Sequence, residues 1–287
     1  MKDFDASPSL PLQSFTVVSL AANVPGPVAC ARLRALGARV VKVEPPAGDP
    51  LEAYSAAWYR ELAAGQEVVR LDLKDAAGRG ALDGLLAAAD LLVTSSRLSA
   101  LERLGLGWAA LHARFPRLCQ VAVFGHPGAE RDRAGHDLTY QASQGLLAEG
   151  GPPRTLLADL ASAERAAGAA LALLLARERG AEAGYAEVTL AEVAADLAAP
   201  LRHGLTAPGG LLGGGLPAYG VYAAREGHVA LAALEPHFAA RLREALGVPE
   251  LTREALEAAL AARSAAEWEA WADARDLPLA ALRQPGD

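Results

Sequence analysis

One short stretch of this chain, Gly135-His136-Asp137-Leu138-Thr139-Tyr140, gathers a histidine, an aspartate and a tyrosine, and a second aspartate follows in Leu157-Ala158-Asp159-Leu160. A further acid stands much later, in Ala233-Leu234-Glu235-Pro236. A neutral imidazole and a carboxylate on facing loops can take a proton from one side of a carbon and return one to the other. Histidine suits this work because its ordinary pKa lies nearest neutrality. Each residue also has a plainer reading. A lone loop histidine is most often structural or solvated. Asp159 precedes a helix expected to start near Ser162, where an acid commonly caps free backbone N–H groups. That position would also keep its carboxylate ionised, ready to act as a base or nucleophile. Glu235 reads equally well as a first-turn acid beside Pro236.

Something must hold these residues in place, and the first half of the chain supplies alternating strand-like and helical runs. Residues 15–20, 39–43, 67–73, 91–94 and 119–124 read as strands. Helical patterns follow at 27–36, 76–88 and 98–115, the first opened by Pro27 and stopped by Gly37. Such alternation predicts a parallel sheet with helices on its faces. Ligands of these sheets sit beyond the carboxyl ends of the strands, so the segments 21–27, 44–50, 95–97 and 125–135 are the ones to watch. Farther on, 160–179 reads as a helix and 186–201 as a short strand running into another. A Gly-rich linker spans 208–215. The stretch 219–234 reads as a hairpin turning at Glu226-Gly227, and 237–281 as helical. The expected organisation is a large domain, 1–205, and a smaller α+β domain, 206–287.

Composition narrows the field. The 287 residues are 52% hydrophobic, enough for a sizeable core, and carry a formal net charge of −7. An acidic chain without a basic stripe argues against nucleic-acid binding. Two cysteines, Cys30 and Cys119, sit in apolar runs and read as core residues of a cytoplasmic protein. Residues 1–11 have no apolar signal core, and the longest apolar run, 166–176, is too short to span a bilayer. There is no G-x-G-x-x-G, P-loop or G-x-S-x-G, and the six histidines show no metal-ligand spacing. Metal dependence is not expected. Lys42, Lys74, Arg97 and Arg103 read as scattered charges, the kind that usually lie on solvated faces.

Several motifs in order, however, resemble the family III CoA-transferases, the superfamily that includes the α-methylacyl-CoA racemases. They are Val17-Val18-Ser19-Leu20 through Pro25-Gly26-Pro27, the run Leu36 to Pro50, Leu71-Asp72-Leu73-Lys74, and Leu101-Glu102-Arg103-Leu104-Gly105-Leu106-Gly107. Gly135-His136-Asp137, Gly214-Gly215-Leu216-Pro217-Ala218-Tyr219 and Ala233 to Phe238 continue the likeness. The resemblance implies a Rossmann-like large domain with a parallel sheet, a smaller α+β domain, an interlocked homodimer and a coenzyme A thioester as substrate, with no other cofactor. In the racemase branch His136 and Asp159 would be the proton-transfer pair, with Glu235 close to the histidine. In the transferase branch the position of Asp159 is a nucleophile, and the residue before the aspartate of Gly-x-Asp is typically aromatic; His136 therefore favours the racemases. CoA contacts would come from Leu71, Asp72 and Leu73, from Ser95, Ser96, Arg97 and Arg103, and from Gly135, Asp137 and Tyr140. Backbone amides near His136 would hold the thioester oxygen.

The chain also departs from the pattern. The family's Asn-Arg-Gly-Lys-type stretch is here Ala63-Ala64-Gly65-Gln66, its Glu-Asn-Phe-Arg-Pro-Gly is Thr94-Ser95-Ser96-Arg97-Leu98-Ser99, and the sequence stops at Asp287 where members usually continue. A non-catalytic acyl-CoA-binding homologue is therefore a third expectation.

Overall fold

The computed structural model describes residues 10–148 and 151–284. Most of the N-terminal stretch read above for a signal core, up to residue 9, lies outside them. The chain divides into two compact units, Met1–Leu197 and Ala198–Asp287, a division that falls before the expected one at 205/206.

The first unit runs β1 (Thr16–Ser19), α1 (Pro25–Ala35), β2 (Arg39–Glu44), α2 (Pro50–Tyr54), α3 (Ala56–Ala63), β3 (Glu67–Arg70), α4 (Ala76–Ala87), β4 (Leu91–Thr94) and α5 (Leu98–Arg103). It continues with α6 (Trp108–Arg114), β5 (Cys119–Phe124), α7 (Asp137–Ser143), α8 (Leu157–Glu178), β6 (Tyr185–Thr189) and α9 (Leu190–Leu197). The six strands pair in parallel in the order β3-β2-β1-β4-β5-β6. That is the Rossmann order, whose strand sequence reverses beside β1 and leaves a crevice beyond β1 and β4. Val17, Val40, Leu91 and Val121 face a core shared with α1 and α8, and Val18, Val41, Leu92 and Ala122 face another shared with α4 to α6. Burial on both faces explains why these strands read as continuous apolar runs rather than alternating ones.

Several boundaries moved, each for a local reason. The third strand ends at Arg70 instead of Leu73: Asp72 Oδ1 accepts the Lys74 N–H at 2.9 Å and Asp75 Oδ1 the Gly78 N–H at 2.6 Å, turning the chain into α4. The helix expected over 98–115 is two, parted by Gly105 at φ +68°. Helix α8 begins at Leu157, not Leu160. Lys42 is not on a solvated face. It is 3% exposed on β2 and ion-paired with Asp49 at 2.6 Å and Glu44 at 3.2 Å. Burial of that ammonium is tolerable because both acids neutralise it.

The second unit carries α10 (Ala199–Arg202), an irregular helical turn at Leu211–Gly215 where a plain linker was expected, and β7 (Tyr219–Ala223), β8 (His228–Ala232), α11 (Pro236–Leu246), α12 (Arg253–Leu260), α13 (Ala265–Asp273) and β9 (Leu279–Ala281). The expected hairpin is β7–β8, turned by Gly227 at φ +80°. The tail expected to be helical ends in β9, which pairs antiparallel with β8. Trp268 and Trp271 anchor this unit's separate core.

Helix α8 owes its close seat on α1 and the sheet to alanine. Ala163, Ala166, Ala167 and Ala170 are all buried at helical spacing. Added volume there has nowhere to go. Ala170→Leu is expected to cost about 1–3 kcal/mol of stability in urea melts, with little change in slope; an unchanged midpoint would refute this packing.

Candidate active site

The crevice beyond the strand ends holds a cavity of about 320 Å³. Ala22 and Asn23 after β1, Ser95 to Arg97 after β4, Gly125 after β5 and Leu190 at the head of α9 supply its walls. His136, Tyr140 and Asp159 all line it. The structure thus brings together the two residues the sequence singled out for proton chemistry.

Their placement begins with Asp137, which is buried. Its Oδ1 accepts the backbone N–H groups of Ala158 at 2.8 Å and Asp159 at 3.1 Å, and its Oδ2 accepts the Gln141 amide. These are free donors of the first turn of α8, so the cap comes from across the site. Leu156, the residue at the cap position, makes no side-chain cap. This corrects two expectations. Asp159 does not cap its own helix; it sits within the first turn, and its carboxylate makes no hydrogen bond or ion pair among the described residues. Nor does the helix end keep it firmly ionised. Burial, and then the Asp137 charge beside it, push its pKa from 3.8 to about 7. Asp137 acts here as a brace and does not line the cavity.

His136 is the N-cap of α7, exposed at the mouth of the cavity. Its own N–H is bonded to Thr139 Oγ1 at 3.0 Å, whereas the first-turn amides of Asp137 and Leu138 have no bonded acceptor among the described residues. The Tyr140 N–H is bonded to the His136 carbonyl at 3.2 Å. Ser95 Oγ accepts the Ala22 N–H at 3.0 Å and thereby ties the loop after β1 to the loop after β4. Its hydroxyl is a staple as well as a wall. Glu235 lies in the second unit, exposed at the N-cap of α11.

A second cavity, of about 470 Å³, is lined by Leu71, Asp72, Leu73, Lys74 and Arg103 among others, and it shares Ser96 with the first. Four of the residues expected to touch CoA therefore cluster in this cavity, and Ser96 joins it to the cavity holding Ser95, Arg97, Gly135 and Tyr140. Sequence reasoning missed Arg131 and Arg133, which also line the first cavity. Arg131 pairs with Glu187 at 2.8 Å and Arg133 with Glu130 at 3.0 Å. Both lie in the 125–135 segment marked as ligand-facing, so their position in that loop was the usable signal.

Residues 12–287 match the model of CoA-transferase family III. The chain belongs to this family. It is 32% identical over 257 residues to an α-methylacyl-CoA racemase of Homo sapiens, covering 83% of this chain and 65% of that protein. It is also 32% identical over 195 residues to a succinyl-CoA–D-citramalate CoA-transferase of Chloroflexus aurantiacus, covering 63% of this chain and 48% of that protein. The chain thus spans about half to two thirds of the length of these curated family members. The crystal structure of a hypothetical protein (Rv3272) from Mycobacterium tuberculosis superposes with a TM-score of 0.83 at 27% identity, covering 96% of this chain and 86% of that one. Family III thus includes both racemases and CoA-transferases among this chain's relatives. No helix among the described residues is long and apolar enough to cross a membrane.

The raised pKa of Asp159 has a consequence for stability. The folded chain holds this proton up to about pH 7, whereas the unfolded chain releases it near 3.8. Asp159 therefore costs stability increasingly as pH rises through that window, and in full above it. Asp159→Asn is expected to stabilise the chain at about pH 8, on the order of 2 kcal/mol because water reaches the cavity, and to be neutral near about pH 4. Thermal melts at the two pH values decide; a variant that melts lower than the parent at the higher pH contradicts the assignment.

Proposed function

We propose that this chain is an acyl-CoA racemase or epimerase that moves the α-proton of a 2-methylacyl-CoA thioester between His136 and Asp159. The observation that supports it is the shared cavity, in which a carboxyl group with a pKa of about 7 and an imidazole flank one space. A carboxyl group so tuned can take or give a proton near neutrality. The thioester acidifies the α-carbon. One of the two residues removes the proton, the electron pair moves onto the thioester oxygen, and the other residue returns a proton to the opposite face. The nucleotide end of CoA would occupy the second cavity beside Arg103, with the pantetheine arm passing Ser96 to reach the first. The same reading has the enzyme working in the cytoplasm as a homodimer on a small-molecule thioester, with neither nucleic acid nor membrane as partner.

A CoA-transferase is the second reading, favoured by relatives of that activity at equal identity. There the ionised Asp159 would attack the thioester carbonyl, expel CoA thiolate and carry the acyl group as a mixed anhydride.

Incubation with several acyl-CoAs in deuterated water, read by mass spectrometry, separates the two. The racemase reading expects one deuteron at the α-carbon, and loss of about 10²–10⁴-fold in exchange rate for His136→Ala and for Asp159→Ala. Exchange at the parent rate in both variants would sink it. CoA passing to an acceptor acid, with hydroxylamine trapping Asp159, would establish the transferase.

A further inference from the structure

Tyr140 presents a hydroxyl that the fold of the chain does not need. The residue is 3% exposed, its ring meets His126 edge-on at 5.2 Å between centroids, and it lines the same cavity as His136 and Asp159. Yet its Oη has no hydrogen-bond partner among the described residues. A phenylalanine would fill the core as well. The hydroxyl is therefore left to the cavity, and packing alone does not account for it.

Two glycines make room for this oxygen. A methyl group built at Gly125 or at Gly135 would overlap Tyr140 Oη. Both glycines line the cavity, so the hydroxyl is walled by backbone at its sides and has the cavity before it. Burial, and then the Asp159 charge, raise the pKa of the phenol. The group therefore stays an O–H donor at neutral pH, close to the residue that reacts in either chemistry. The nearby amides of His136, Thr139 and Tyr140 are already bonded within α7, which leaves those of Asp137 and Leu138 as the backbone donors beside this hydroxyl among the described residues.

We infer that Tyr140 Oη is a catalytic hydrogen-bond donor to the thioester carbonyl oxygen, engaged only when the acyl group occupies the cavity. The inference rests on the proposed acyl-CoA chemistry and deepens it. As Asp159 or His136 removes the α-proton, the electron pair of the broken C–H bond shifts onto the thioester oxygen, which becomes an enolate. Tyr140 keeps its proton and shares it in a strengthened hydrogen bond to that oxygen. When the opposite residue protonates the α-carbon, the electron pair returns and the carbonyl is restored. A donor aimed at a charge that appears only in the transition state acts on turnover far more than on binding.

Tyr140→Phe keeps the ring and removes only this donor. Turnover of the preferred acyl-CoA is expected to fall about 10²-fold, with KM within about threefold of the parent. The melting temperature should stay close to the parent's, because no hydrogen bond within the described fold is lost. Gly125→Ala, whose methyl group would meet chiefly the same oxygen, should also slow turnover, and adding it to Tyr140→Phe should cost little more. Tyr140→Phe turning over within twofold of the parent, or raising KM at constant kcat, overturns the inference. Asp159→Asn is the control. If it is inactive while Tyr140→Phe is fully active, the donor role fails and the acyl-CoA reading stands. If Asp159→Asn itself turns over like the parent, both fail together.

Discussion

The geometry of the site depends on one carboxylate that is not expected to react. Asp137 receives two backbone N–H groups from the first turn of α8 and one amide from Gln141. The two backbone bonds join α7 to α8, and so fix Asp159, on α8, relative to His136 and Tyr140 at the start of α7. They also leave a negative charge beside Asp159, which helps to hold its proton. A carboxylate with several N–H donors keeps its charge inside a protein, and a neighbour without donors bears the consequence. The far end of α8 is held as well. Arg177 bonds Asp90 at 2.8 Å and the Arg117 carbonyl at 2.9 Å, and Asp90 in turn accepts the Thr16 N–H at 2.8 Å. Helix α8 is therefore a strut pinned at both ends, with its alanine stripe setting the distance between.

The opposite wall of the cavity rests on a buried charge cluster. Asp49 accepts from Lys42 and also takes the N–H groups of Asn23 at 3.0 Å and Leu51 at 2.9 Å. Glu44 is ion-paired with Lys42 at 3.2 Å and accepts from the Tyr59 hydroxyl at 2.8 Å. The loop after β1, which forms the wall, is thus tied to the loop after β2 through one aspartate, and to the loop after β4 through Ser95. Removing one member would leave a charge buried without its partner, which usually costs more than the pair contributes. The charges here serve to define a shape.

Much of this was legible in the sequence, for identifiable reasons. Valine and leucine runs buried on both faces announce a parallel sheet, and Pro27 with Gly37 announces α1, which opens two residues earlier at Pro25. The crevice location follows from that sheet alone. His136 and Asp159 were found by type and spacing, and the resemblance to family III gave them roles. What escaped detection was tertiary. That Asp137 caps a helix 20 or so residues away cannot be read from local propensity, which assigned the cap to Asp159 instead. Lys42 looked solvated because its neutralising partners, one strand turn and one loop away, are visible only when folded. Short helices such as α2 and α3 carry too little periodicity to stand out, and β9 is a strand only because β8 offers it an edge.

The tuning of Asp159 also bears on which chemistry the cavity suits. A nucleophilic carboxylate must be ionised when the thioester arrives, and a pKa of about 7 leaves much of it protonated near neutrality. Reversible proton exchange makes the opposite demand. It works from both directions, so each member of the pair must be stable with and without its proton at working pH. A carboxyl group lifted into the range where imidazoles exchange protons meets that demand, and the lift comes from burial and Asp137, which are built into α7 and α8. A transferase would draw on the fraction of Asp159 that is ionised, about half near pH 7. In the proposed racemase the same carboxyl group would use both of its protonation states, which burial and Asp137 bring within reach of neutral pH.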